Sequence, residues 1–143
     1  MKRQLFLLTV LFFSLVSTPI VVLAQSEDEE LFSTAQRAFD DGFHDVAIRY
    51  LEELLPKYPA SPKIDQARLL LGQCYYLRND FNKALDMFKA STNITDNKDM
   101  LLFWTGETYL KLSNYVEAQG NYQQLLKSYP SSVYVPQALY SLA

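Results

Sequence analysis

The chain is poor in the residues that most catalytic and metal sites require. Its 143 residues include one cysteine, Cys74, and one histidine, His44. One cysteine cannot form an intrachain disulfide, and with one histidine there is no plausible zinc ligand set or Cys–His nucleophile pair. We therefore expect a protein without catalytic residues, metal or cofactor. We expect Cys74 to be a small apolar residue inside a helix.

Glycine is also scarce, which argues against a phosphate-binding loop, and the negative net charge argues against nucleic acid as a partner. The four glycines are isolated from one another, so no Gly-rich phosphate-binding loop can be recognised. The formal charge of the whole chain is -3. Without residues 1–24, which include Lys2 and Arg3, the remaining 119 residues carry 11 basic and 16 acidic side chains, a net charge of -5. Such a chain is not expected to bind nucleic acid.

Residues 1–24 have the plan of a secretory signal peptide. A basic start is followed by the apolar run LFLLTVLFFSLV and by VLA before Gln25. Pro19 interrupts the apolar stretch, whereas a membrane span needs about 20 apolar residues, so cleavage after Ala24 is preferred to an uncleaved anchor. The segment is similar to a lipoprotein signal in which Gln25 replaces the required Cys. We predict an exported protein without a lipid anchor, bound to the membrane only if this segment is retained.

The rest of the chain, residues 25–143, contains a degenerate repeat. YPASPKIDQARLLLG at 58–72 returns as YPSSVYVPQALYSLA at 129–143. Between them, Gly72 and Ala84 are matched by Gly106 and Ala118 at a shift of 34, and Ala47 precedes Ala84 by 37. Aromatic pairs share the shift of 34: Tyr75 and Tyr109, Phe81 and Tyr115, Phe88 and Tyr122. Apolar spacing of i, i+3, i+4 and i+7 in FNKALDMF and YVEAQGNYQQLL predicts helices, with small residues where helices approach closely.

These residues resemble the tetratricopeptide repeat, a 34-residue helical hairpin with small and aromatic residues at fixed positions. The resemblance implies an all-α solenoid of antiparallel helix pairs, with repeats at about 28–64, 65–98 and 99–135 and a truncated fourth from 136. Position 1 is then Asp28, Asp65, Asp99 and Pro136. Asp and Pro are favoured in a first helical turn, where Asp can accept free N–H groups. About three and a half repeats are present, so we expect a fragment of a longer protein or a truncated sequence.

The family presents the first helix of each pair along a concave groove, at positions 2, 5, 9, 12 and 13. Carried over to this chain, the predicted partner-binding residues are Glu29, Phe32, Gln36, Phe39, Asp40, Gln66, Leu69, Gln73, Tyr76, Leu77, Met100, Phe103, Glu107, Leu110, Lys111, Gln137 and Tyr140. Position 9 forms a polar row of Gln36, Gln73 and Glu107. We expect Gln73 and Glu107 to be exposed, so that replacing both by Ala weakens partner binding but leaves stability nearly unchanged. Trp104 is interpreted as a core residue.

Two functions remain open at this point. The signal segment and the YPxS turns are similar to exported tetratricopeptide proteins of the Tol-Pal-associated and outer-membrane assembly types, although Gln25 argues against the lipidated assembly component. The first hypothesis is therefore a noncatalytic, periplasmic scaffold of the bacterial cell envelope that binds a protein or peptide. The second is an N-terminal tetratricopeptide module of a larger enzyme or secretion component that continues beyond residue 143.

Overall fold

The computed structural model describes residues 26–143, and these form seven α-helices and no strand. The predicted signal segment, residues 1–24, lies outside the described residues and stays a prediction. The helices are α1 (Glu27–Asp40), α2 (His44–Lys57), α3 (Ile64–Leu77), α4 (Phe81–Ala90), α5 (Lys98–Lys111), α6 (Tyr115–Ser128) and α7 (Val135–Ser141). Helices α1 and α2, α3 and α4, and α5 and α6 pack as successive pairs, and α7 follows the third pair. The all-α prediction is confirmed.

The turns inside the three hairpins share one backbone conformation. Each has three residues, and the middle residue is left-handed, with φ of 81° at Gly42, 62° at Asn79 and 61° at Ser113. In each turn the amide after this residue donates to a carbonyl five residues earlier, as in Asp80 N to Tyr75 O at 2.9 Å. This is a helix-ending motif that a left-handed residue permits. The turn residues recur at 37 and 34, the same spacings as the repeat.

Close approach of the paired helices depends on the small residue at position 8 of the repeat, which is Gly72 in α3 and Gly106 in α5. A Cβ atom added to Gly72 would lie 2.4 Å from the Phe88 ring, and one added to Gly106 would lie 2.6 Å from the Tyr122 ring. Both rings are buried, Tyr122 completely. The aromatic residue of the second helix therefore occupies the space that a side chain on the first helix would need.

The aspartates at position 1 lie in the first turns of α1, α3 and α5, as predicted, and they also form contacts beyond their own helices. The N-cap residues of α1, α3 and α5 make no side-chain cap hydrogen bond. Asp28 also accepts from the Ser61 hydroxyl at 2.5 Å, and Asp99 accepts from the Ser132 hydroxyl at 2.6 Å. Asp65 accepts from the backbone amide of Asn93 at 3.1 Å. These carboxylates tie the first helix of each repeat to the turn that leads into the next repeat.

The core consists of two clusters of buried side chains. One extends from α1 to α4 and includes Cys74, and the other joins α5, α6 and α7 around Tyr122. Trp104 packs against both clusters. Burial raises the pKa of the Cys74 thiol to about 12, which keeps it protonated and unreactive at neutral pH. The interpretation of Cys74 as a buried apolar residue is confirmed.

Candidate functional site

A concave cavity of about 460 Å³ opens on the face formed by the first helices of the three hairpins. Its helical lining comes from α1, α3 and α5, and two further residues stand just before α5 and α7. The lining residues are Phe32, Gln36, Phe39, Asp40, Gln66, Leu69, Leu70, Gln73, Asn97, Met100, Trp104 and Tyr134. A volume of this size is within the usual range for ligand sites, roughly 300 to 1,000 Å³. We call this cavity and its lining residues the groove.

Eight of the predicted partner-binding residues line the groove, and they come from three successive repeats. They are Phe32, Gln36, Phe39, Asp40, Gln66, Leu69, Gln73 and Met100. Repeat periodicity places equivalent helix positions on one face because each hairpin packs on the last in nearly the same way. Whether this face binds a partner stays a prediction.

The other predicted residues lie elsewhere. Phe103 is buried and stacks on Tyr134, with ring centroids 4.8 Å apart. Tyr76 packs edge to face against Phe81 and Trp104. The remaining seven also lie outside the lining of the groove, and they are Glu29, Leu77, Glu107, Leu110, Lys111, Gln137 and Tyr140. Residues on the same repeat position therefore differ in their access to the groove.

Sequence reasoning missed four lining residues, namely Leu70, Asn97, Trp104 and Tyr134. Asn97 and Tyr134 occupy the same place in the repeat, two residues before position 1, so periodicity could have found them once one was known. The interpretation of Trp104 as purely core was incomplete. Its ring packs in the core, yet it also lines the groove, and its indole Nε1 is buried without a hydrogen-bond partner within residues 26–143.

The expectation that Gln73 is an exposed polar side chain is wrong. Gln73 is only 6% exposed, and its Nε2 donates to the Met100 sulfur at 3.1 Å. Met100 belongs to the next repeat, so this amide links α3 to α5. Replacing Gln73 by Ala would therefore remove a buried contact between repeats as well as any contact to a partner.

Glu107 also has a structural role. Its carboxylate accepts from the Tyr122 hydroxyl at 2.7 Å and from the Ser141 hydroxyl at 2.8 Å, which connects α5 to α6 and α7. Burial, followed by the nearby Glu107 carboxylate, raises the pKa of Tyr76 to about 12. Removing Glu107 would leave the buried Tyr122 hydroxyl without an acceptor, at a cost of about 1 to 3 kcal/mol. We therefore expect the Gln73 and Glu107 double substitution to lower stability, in contrast to the insensitivity predicted from the sequence.

Among residues 26–143, no helix is both long and apolar enough to cross a membrane. In the same range there is no group of three or more His, Cys, Asp or Glu side chains placed to hold a metal ion. His44, the one histidine, packs its ring against Phe39 with centroids 5.4 Å apart. The groove, with its aromatic and carboxamide lining, is a candidate binding site among the described residues.

The paired helices, the repeated turns and the groove on the first-helix face define a tetratricopeptide-repeat solenoid. Residues 40–125 match the model of the family described as "Anaphase-promoting complex, cyclosome, subunit 3", and the chain belongs to that family. The resemblance to the tetratricopeptide repeat is thereby confirmed.

Two known proteins extend this result. The chain is 27% identical over 140 residues to "Outer membrane protein assembly factor BamD" of Pasteurella multocida (strain Pm70), covering 83% of this chain and 54% of that protein. It thus spans about half the length of the curated relative, and its resemblance to the outer-membrane assembly type is confirmed. The crystal structure of MamA superposes with a TM-score of 0.69 at 17% identity, over 78% of this chain and 64% of that one. At that identity the likeness concerns the fold alone.

Proposed function

We propose that the chain is a noncatalytic scaffold of the bacterial cell envelope that binds a protein partner along the groove. The single observation that carries this proposal is the groove itself, where eight of the residues predicted from three repeats line one concave face. Similarity to a protein named as an outer-membrane assembly factor supports a place in the envelope. The periplasm is the compartment that follows if residues 1–24 direct export and are then removed.

The lining of the groove suits a protein segment. Leu69 and Leu70 form an apolar floor and are each 4% exposed. Gln66 and Asn97 stand beside this floor, and their side chains make no hydrogen bond within residues 26–143. Apolar area supplies contact energy, while unpaired carboxamides can donate to and accept from a partner.

Photo-crosslinking of the full chain in envelope extracts tests the position of the binding surface. A photoreactive residue at Gln66, in the groove, should give discrete adducts with an envelope protein identifiable by mass spectrometry. The matched control is Asp86, an exposed residue of α4 that lies outside the groove. Adducts from Asp86 but none from Gln66 would place binding on the second-helix face and contradict the proposal.

The identified partner then permits a quantitative test. Gln66→Ala should weaken its binding by about 1 kcal/mol, roughly five-fold, because one hydrogen bond is lost. Since Gln66 is partly exposed and unpaired within the described residues, stability should change by only about 0.5 kcal/mol. Calorimetry on wild type, Gln66→Ala and the control Asp86→Ala gives the comparison. Equal affinity for all three would count against the groove.

A further inference from the structure

The groove has one formally charged residue in its described lining, and that charge is negative. Asp40 is the last residue of α1, where the free carbonyl groups of the helix add partial negative charge. Its carboxylate accepts a hydrogen bond from the neutral Gln36 amide at 3.0 Å and has no ion pair within residues 26–143. By contrast, Asp45 and Asp65 are paired with arginines. Asp40 is therefore an exposed, uncompensated anion in the lining of the groove.

Another part of the lining is apolar. Met100 and Trp104 line it from α5. The Trp104 ring is held edge to face by Tyr76, with centroids 5.0 Å apart, so its orientation is set before any partner arrives. Its buried Nε1 has no acceptor within the described residues. Because this atom is buried, an incoming chain can contact Trp104 through its apolar ring and not through Nε1.

Two carboxamide side chains of the lining favour an extended occupant over a helical one. Gln66 and Asn97 can each donate and accept hydrogen bonds. An extended segment presents free backbone N–H and C=O groups, whereas the backbone of a helix is bonded internally along most of its length. These two side chains therefore offer hydrogen-bond partners that only an extended backbone can use fully.

We infer that the groove binds an extended peptide segment that places an Arg or Lys side chain against Asp40 and an aromatic or large apolar side chain against Met100 and Trp104. This inference rests on the proposed function and specifies the chemistry of its partner. Charge complementarity selects the basic residue, because a basic side chain would neutralise the unpaired carboxylate and an acidic one would be repelled. Lys63, which lies outside the lining, already holds its ammonium 5.7 Å from the Phe32 ring centroid, so the aromatic wall tolerates a cation.

Synthetic peptides and the full chain test this inference. The probes are fluorescein-labelled peptides with blocked termini, each carrying one Arg and one Phe in a Ser/Gly background, in both orders and with several spacer lengths. Fluorescence polarisation should find binding for at least one spacing, and replacing Arg by Glu in that peptide should weaken it by roughly ten-fold or more. Replacing Phe by Ser should weaken binding by a similar factor.

Charge reversal separates recognition from a merely structural effect. Asp40→Lys should reverse the preference, so that the Glu peptide binds more tightly than the Arg peptide. Asp86→Lys, which changes the net charge equally but lies outside the groove, should preserve the wild-type preference. Circular dichroism confirms that each variant is folded.

Three outcomes would overturn the inference: no binding at any spacing, equal affinity for the Arg and Glu peptides, or an unchanged preference in Asp40→Lys. None of these outcomes would by itself contradict the proposed function, because the proposed function is tested by crosslinking at Gln66 and by the affinity of Gln66→Ala for the partner. If crosslinking at Gln66 succeeds while the peptides fail, the groove binds a partner of different chemistry.

Discussion

At the scale of single residues, substitution of two helical glycines by Ala should change the free energy of unfolding in opposite directions. Gly120 is exposed in α6 and a Cβ atom there would meet nothing within 4 Å, whereas a Cβ atom on Gly72 would collide with the Phe88 ring. Gly120→Ala should raise the free energy of unfolding by about 0.5 to 1 kcal/mol, because the unfolded chain loses conformational freedom. Gly72→Ala should lower it by about 1 to 3 kcal/mol through overpacking.

Urea unfolding of the two variants and wild type, followed by circular dichroism, measures both effects under one set of conditions. The comparison is internal, since both substitutions add the same methyl group to a helix. Destabilisation by Gly120→Ala, or no effect of Gly72→Ala, would contradict the described packing of α3 and α6.

At the scale of elements, the bond between Asp28 and Ser61 predicts a pH dependence of stability. Hydrogen bonds from Ser26 and Ser61 hold the pKa of Asp28 below its ordinary value of 3.8. A lowered folded-state pKa contributes stability above the ordinary value, and this contribution is lost as the pH falls through the lowered one. Wild type should therefore be more stable than Asp28→Asn at neutral pH, and the difference should disappear in strong acid.

Melting temperatures of both proteins across the acidic range check this expectation. Ser61→Ala serves as the matched variant, because it removes one donor and keeps the carboxylate. In a double-mutant cycle the effect of Asp28→Asn should be smaller in the Ser61→Ala background. A difference that is independent of pH would mean that Asp28 acts through packing alone.

At the scale of the whole molecule, the two core clusters predict unequal stability along the chain. The cluster of α1 to α4 contains 16 buried residues, whereas that of α5 to α7 contains six. Repeats contact mainly their neighbours, so local stability follows the local core. In the 143-residue chain, amides of α5 and α6 should exchange with solvent faster than those of α2 and α3. Hydrogen exchange with mass spectrometry measures this, and equal protection in both halves would show one cooperative unit instead.

The sequence by itself determined the helix pairs and their order. Local signals sufficed, because apolar spacing, the small residues at Gly72 and Gly106, and the aromatic residues that fill the space beside them act within one hairpin. The serine shared by the two YPxS turns was visible as a coincidence at a separation of 71. Its bond to an aspartate 33 residues earlier needed the structure.

The tertiary structure decided which side chains of the first helices face the groove. Gln36, Gln73 and Glu107 share position 9 of the repeat. Gln36 lines the groove, yet Gln73 is held by Met100, 27 residues away, and Glu107 by Ser141, 34 residues away. Periodicity assigns a residue to a helix face but does not say how far the neighbouring repeat covers that face. Burial and pairing across repeats depend on side chains from the next hairpin, and only their packed positions separate binding candidates from structural contacts.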